Sequence, residues 1–484
     1  MDNTGRIKKG LNRSIKKIIF GNKINKNDKR ELLLLSTIDK AHIVMLEQEG
    51  FLSFEYASKV ISKIVYLENL EFRPLIGSKT PRGLYMKYEN WLIEQLGIRV
   101  AGSIHLGRSR NDINATIAMI QMRENVAEVV TLLLKFVELL NTLSMEYKDV
   151  VMPAYTHHQP AVPITYGYYL QGVCIAMKKN INQFLSILDS LKTSPLGSCS
   201  VGGTSVAINT KMTSKLLGFD SGPLNAMEAV ASRDYVLNFM SIISITSVLI
   251  SRIATDLLLW NTREFNFFKL DDQITGSSSI MPNKKNPFIL ENIQGKTGVI
   301  SSSLFGAVTA MHNTPFTNNI GVGTESNMFL DKSKNEFLDS LELLTVFMQY
   351  SKPNVKQMKK KSSESFILAT EYANTLVLNH NIPFREAHFT IGKAISNSSE
   401  NIALTKSKEL EKYKLEISLE EVVSKTKYGG GPSCYNVENN FNTLKKYISK
   451  TTNALMRYKS KWETAYNQLT HASNKLVKPL ASKV

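Results

Sequence analysis

The sequence predicts an all-α protein built around a central bundle of long helices. Three observations carry that expectation. Residues 113–148 contain neither Gly nor Pro, and Val126, Val130, Leu133, Val137 and Leu140 step by four and three, as one apolar stripe of a helix does. Residues 226–275 again lack Gly and Pro, and Ile242, Ile245, Leu249, Ile253, Leu257 and Trp260 repeat the spacing. The alternating pattern of strands is nearly absent. Helices this long belong to bundles and coiled coils more than to ordinary globular domains.

Taken in order, residues 1–112 read as an N-terminal domain of shorter helices, among them 28–50 and 53–66. Residues 113–361 form the central bundle domain, with further helices at 163–193, 287–312 and 333–350 and a polar loop at 275–287. Residues 362–434 form a small C-terminal helical domain, in which "NHNIPFREAHFTIGKA" is a loop leading into a helix. Residues 435–484 form a basic C-terminal extension with helical patches. A length of 484 residues agrees with about three domains at roughly 150 residues each.

The composition, 43% hydrophobic and 21% charged, is that of a soluble globular protein. Cys174, Cys199 and Cys434 are far apart and not in CxxC spacing, which argues against a disulfide framework or a zinc site and for a reducing, cytoplasmic compartment. The basic start "MDNTGRIKKGLNRSIKKIIFG" has no long apolar run, so no signal peptide is expected. Residues 235–251 carry no charge, but the run is shorter than the ~20 residues of a membrane span and contains Asn238 and several Ser and Thr. A helix buried in a bundle is expected there, and no membrane partner. The net charge is +17. Residues 1–30 hold ten Lys and Arg against two Asp, and residues 441–484 hold nine against one Glu. Without a nucleic-acid motif these ends read as solvated lysine-rich surface, and nucleic acid is not expected as a partner.

Three polar clusters stand at expected helix starts. In "HLGRSRNDINAT", 105–116, Ser109, Asn111 and Asp112 stand where the long helix begins, and such residues cap helices. In "MPAYTHHQPAVPIT", 152–165, Thr156, His157, His158 and Gln159 precede Pro163, a favoured first helical residue. In "TGSSSIMPNKKNPFILE", 275–291, Asn286 is a candidate cap, Pro287 a candidate first helical residue, and Glu291 sits about one turn in. Helix N-termini bind anions through free N–H groups. Three of them, with Arg108, Arg110, Lys284 and Lys285, point to a ligand with more than one acidic group. Plain capping with surface charge would explain any single cluster. A helix of about 35 residues is roughly 50 Å long, so the first two clusters are expected at opposite ends of the bundle. Only an oligomer with antiparallel bundles could join them.

At this point the residues match a family. "GSSSIMPNKKNP" resembles the signature loop of the fumarase/aspartase superfamily, and "GRSRND", "YTHHQPAVPITYG", "ASRDY" and "IPFREAH" resemble its argininosuccinate lyase branch, in order, over about residues 85–434. The resemblance implies a homotetramer with a twenty-helix core, active sites shared between three subunits, and no metal or organic cofactor. It implies β-elimination of a small anionic N-succinyl substrate to fumarate and a nitrogen compound. Carried over by motif, Ser278 is the serine of the mobile loop, His157 the histidine of the second motif, and Glu291 the residue orienting His157. Lys284 and Asn286 hold a succinyl carboxylate, Ser109, Arg110, Asn111 and Thr156 line the same half, and Arg233 binds substrate. Ser278 is assigned as base and His157 as acid; the sequence leaves the reverse assignment open.

The chain also departs from that family. "NNIGVGTES", 318–326, stands where relatives grip the arginine end of their substrate, so Asn318, Gly323 and Ser326 replace a tyrosine, a glutamine and a lysine. "GLY", 83–85, replaces another family element, and His158 a common leucine. Groups for the succinyl half remain and those for the amino-acid end are gone. A different leaving group is therefore expected. Argininosuccinate lyase of arginine biosynthesis is the alternative, and a catalytically silent structural homologue is the alternative of another class.

Overall fold

The computed structural model describes residues 10–20, 24, 28–78, 83–398, 407 and 410–477. The first part of the basic N-terminal segment, 1–9, and the last residues of the C-terminal extension, 478–484, lie outside the described residues.

The fold is all-α. A short helix α1 (Arg13–Phe20) precedes α2 (Lys29–Gln48), α3 (Phe54–Asn69), α4 (Leu84–Leu96) and the single turn α5 (Ile98–Ala101). The long helix α6 (Arg110–Glu146) follows, 37 residues or about 55 Å. Its predicted stripe is buried throughout: Val126, Val130, Leu133, Val137 and Leu140 are each 1% exposed or less. A hairpin of β1 (Val151–Thr156) and β2 (Gln159–Thr165) reverses the chain into α7 (Tyr166–Ser190). After α8 (Thr210–Leu216) and α9 (Ala226–Ala231), α10 (Asp234–Asn261) runs back along the bundle. Three short strands, β3 (Phe268–Leu270), β4 (Gly276–Ser277) and β5 (Lys285–Asn286), lead to α11 (Phe288–Met311) and α12 (Ser326–Tyr350). Strand β6 (Ser351–Pro353) pairs with β3. Helices α13 (Val355–Glu364), α14 (Ala369–His380) and α15 (Phe384–Ser396) precede a C-terminal helix, Cys434–Leu476.

Several local expectations are corrected. Pro163 does not begin a helix: it pairs with Pro153 in the hairpin, and α7 starts at Tyr166 under a Thr165 cap. The hairpin was invisible as alternation because Pro153, Pro160 and Pro163 remove donors, which only a small edge-exposed ladder tolerates. Asn286 does not cap α11. It pairs with Gly276 across β4 and β5, and Pro287 takes the cap position ahead of Phe288. Ile245 breaks the expected buried stripe of α10, at 51% exposure. The helical patches of the C-terminal extension are one 43-residue helix. Its buried stripe of Val437, Leu444, Thr451, Leu455 and Leu469 is narrow enough to be hidden by the surrounding lysines.

Three buried clusters organise the packing. The largest joins α6, α7, α10, α11 and α12, and takes Leu444 and Leu455 from the C-terminal helix. The second joins α2, α3 and α4 to the start of α6, and takes Leu469 and Leu476. The third gathers Ile367 to Val423 around Val151 of the hairpin. The C-terminal helix thus spans two clusters. Arg123 reinforces that seam, its guanidinium 5.0 Å from the rings of both Phe219 and Trp462.

By length and composition α10 is apolar enough to cross a membrane, with a mean hydropathy of 1.8, and half of that window is buried in the bundle.

Candidate active site

At one end of the bundle, Ser109 caps α6 with an extended backbone (φ −140°, ψ 165°). Its hydroxyl accepts from Asn111 N–H at 3.4 Å, and its own N–H donates to Asp112 at 2.9 Å, closing a capping box. The second oxygen of Asp112 accepts from Gly197 N–H at 3.0 Å and Cys199 N–H at 2.9 Å. Asn111 donates to Ser200 O at 3.1 Å. Asp112 therefore fastens the 197–200 loop against the start of α6. Burial pushes its carboxyl up to about 6 despite three N–H donors.

Arg108 does not face a ligand, contrary to its reading as one of the cations for an anion. It is fully buried against Asp39 of α2, 2.7 Å away. This pair holds the 105–112 loop on the N-terminal helices. His42 adds a contact, its Nε2 lying 2.8 Å from Leu106 O. Burial, then the Arg108 charge, pushes His42 well below the ordinary imidazole value, and the same causes bring His105 down to about 4. Arg110 stands exposed as the first residue of α6.

Arg233 lies at the same end, in the cap position of α10, buried to 4% exposure. It donates to Val230 O at 3.0 Å and Ser232 O at 2.7 Å. It lines a cavity of about 350 Å³ with Asn114 and Gln121 of α6 and with Asn318, Gly323 and Asn327. Asn114 and Gln121 were missed from sequence. The signal was present: Asn111, Asn114, Ala118 and Gln121 follow helical spacing on one side of α6. Ser326 turns away from this cavity, fully buried with its Oγ donating to Val322 O at 2.8 Å.

The remaining candidates stand at the other end. Thr156 pairs with Gln159, so His157 and His158 form a two-residue turn at φ 51° and 59°. Two positive values suit a type I′ hairpin turn and cost conformational energy for residues with a Cβ. The turn therefore projects both imidazoles outward, and Thr156, His157 and His158 are exposed. In the 275–287 loop, Ser277 pairs with Lys285 and Gly276 with Asn286. Ser278 follows directly. Its Oγ accepts backbone N–H bonds from Met281 at 3.0 Å and Ile280 at 3.3 Å. Lys285, read as a ligand cation, is paired with Asp272 instead. Lys284 and Glu291 are exposed and without a side-chain partner among the described residues.

The direction of the helices fixes which end each group occupies. Helix α10 leaves Arg233 and ends where Tyr169 of α7 packs on Trp260 at 4.8 Å and donates to Asp256 at 2.8 Å. Helix α11 begins there, with Gln294 donating to Thr255 at 3.0 Å. One chain therefore gathers Ser109, Arg110, Asn111 and Arg233 at one end. It carries Thr156, His157, Ser278, Lys284, Asn286 and Glu291 at the other, about 40 Å away along a 28-residue helix. His157 and Glu291 share no hydrogen bond within the chain. Among the described residues no His, Cys, Asp or Glu group is arranged to hold a metal ion.

Comparison with known proteins shows the family. Residues 75–301 match a lyase family model and residues 366–427 an argininosuccinate lyase C-terminal model. Argininosuccinate lyase 1 of Shouchella clausii (strain KSM-K16) is 32% identical over 422 residues, covering 87% of this chain and 84% of that protein. Argininosuccinate lyase of Methanococcus vannielii is 33% identical over 362 residues, covering 75% of each. Among solved structures, an EDDS lyase in complex with formate superposes with a TM-score of 0.84 at 24% identity, covering 96% of this chain and 98% of that one. A class II fumarase from Schistosoma mansoni superposes with a TM-score of 0.69 at 18% identity, covering 83% and 91%. At this identity and coverage the chain belongs to the argininosuccinate lyase branch of the fumarase/aspartase superfamily and is a fumarate-forming carbon–nitrogen lyase.

Proposed function

We propose that the substrate is an N-succinyl compound whose leaving group is not arginine, and that the site is completed by neighbouring copies in a homotetramer. One observation carries the substrate reading. The cavity beside Arg233 is lined by the amides Asn114, Gln121, Asn318 and Asn327 with Glu31 as its one carboxylate, and it opens at Gly323, where an added Cβ would meet nothing within 4 Å. Asn318 and the bare Gly323, which stand where relatives grip the arginine end, offer neither the charge nor the reach for that grip. The identity to argininosuccinate lyases supports the same elimination on the succinyl half.

In this reading Ser278 removes the proton from the carbon beside one succinyl carboxylate. Its electron pair forms the C=C bond of fumarate as the C–N bond breaks. His157 gives the departing nitrogen its proton. The two N–H donors on Ser278 Oγ favour its deprotonated form, and a closed, dry site strengthens them. Lys284, Asn286 and the N-terminus of α11 take the negative charge that builds on the carboxylate. Ser109, Arg110, Asn111 and Thr156 line the succinyl half, and Glu291 of one copy orients His157 of another.

The tetramer reading has its own support. Ile245, Val248, Phe305 and Met328 stand on the central helices at 51%, 53%, 74% and 69% exposure. An assembly of bundles would cover them and would unite the two ends of the site.

The test follows fumarate release from argininosuccinate and from other N-substituted aspartates. A lost charged contact in a closed site costs about 2–5 kcal/mol, so argininosuccinate turnover is expected to be weaker by several powers of ten than turnover of a matched adduct. Efficient cleavage of argininosuccinate, at a kcat/KM of about 10⁴ M⁻¹s⁻¹ or more, would overturn the altered leaving group.

A further inference from the structure

Glu31 sits in the first turn of α2 and lines the same amide-rich cavity as Arg233. It also lines a larger adjoining cleft of about 960 Å³, so it stands where the two meet. Glu31 has no hydrogen-bond or ion-pair partner among the described residues. The cations nearest in the cleft are already engaged: Arg30 pairs with Glu124, Lys334 with Glu128 at 3.2 Å, and Lys459 donates to Thr131 at 3.2 Å. Asp331 is a second carboxylate of the cleft without a cation. A carboxylate left unmatched inside a cavity is costly unless a ligand completes it.

We propose that Glu31 determines specificity for the leaving group, by holding a cationic end of an amine that extends from the succinyl nitrogen toward the cleft. This rests on the leaving-group reading given above and names its chemical class: an aliphatic amine with a second protonated nitrogen. The amides around the cavity can accept from N–H groups along the way without adding charge, and Ile117, Ala118 and Ile320 give apolar contact for methylenes. Arg233 lines the same cavity, its guanidinium oriented by the Val230 and Ser232 carbonyls. A purely anionic end would meet Glu31 unfavourably. Burial, then Asp28, raises the Glu31 carboxyl above its ordinary value.

The test runs the reaction backwards at alkaline pH, where Glu31 is ionised and some amine is free. The amine nitrogen bonds to one alkene carbon of fumarate and loses a proton, and the other carbon gains one. Fumarate consumption is followed with three amines of similar reach: 1,4-diaminobutane, n-butylamine and 4-aminobutanoate. The purified full chain is expected to favour the diamine over butylamine by about tenfold or more, with 4-aminobutanoate the poorest. In Glu31→Gln that ratio is expected to fall to about one, with 4-aminobutanoate gaining relative to the diamine. The loss should appear mainly in KM, at an unchanged melting temperature. A wild-type ratio near one, or a ratio kept in Glu31→Gln, overturns the assignment of Glu31 while leaving the lyase reading intact. Fumarate neither consumed with any amine nor released from any N-succinyl adduct brings down both.

Discussion

At the scale of single residues, the protein places polar groups where burial changes their chemistry. The Arg108–Asp39 pair shows this most clearly. A motif arginine that reads as a ligand cation is spent on structure, anchoring the loop that carries Ser109 and Asn111. Burial, and then the Arg108 charge, disfavours protonation of His42 and His105. Both imidazoles have folded values below their ordinary 6.5, so the fold disfavours their protonation. The associated stability is complete above pH 6.5 and is lost as pH falls from there toward about 4. Thermal melting followed between pH 7.5 and 5 is expected to show a falling melting temperature. His42→Gln, which keeps a donor for Leu106 O, is expected to flatten part of that fall. An equally steep fall in the variant would show that His42 carries no such linkage.

At the scale of elements, the long helices were legible because a stripe at helical spacing has few alternative explanations. The β1–β2 hairpin was not, since three prolines erase the alternation that marks strands, and its two-histidine turn uses no glycine. The C-terminal helix was only half legible, because lysines and asparagines scattered along it conceal a sparse buried stripe. Site residues divided the same way. Ser278, His157, Lys284 and Arg233 come with their motifs, whereas Asn114, Gln121 and Glu31 belong to no motif and show themselves only when helices meet. The wall after α11 makes a sharper point. At Gly321 an added Cβ would lie 2.4 Å from the backbone oxygen of Ala310, while at Gly323, two residues on, it would meet nothing within 4 Å. Gly321→Ala is expected to destabilise by about 1–3 kcal/mol, because a backbone atom cannot yield cheaply. Gly323→Ala is expected to leave the melting temperature unchanged or slightly raised. Equal melting temperatures for the two variants would contradict the tight turn.

At the scale of the whole molecule, the groups proposed for the site stand at two ends of one chain, about 40 Å apart along a 28-residue helix. The proposed elimination therefore needs more than one copy. Light scattering is expected to report a tetramer, and an active monomer would refute shared sites. Mixing inactive Ser278→Ala subunits with inactive Asn111→Ala subunits, after dissociation and reassociation, is expected to restore part of the activity. Some mixed sites would then draw both intact ends from different chains.

The central claim is that this assembly makes fumarate by an elimination that Ser278 begins. The direct measurement is the rate of fumarate release from a turned-over N-substituted aspartate, compared between the wild-type protein and Ser278→Ala. The account predicts that the variant loses about 10²-fold or more in kcat while its oligomeric state and melting temperature stay the same, since Ser278 lies in an exposed loop and supports no core. Fumarate released by Ser278→Ala at close to the wild-type rate would contradict it.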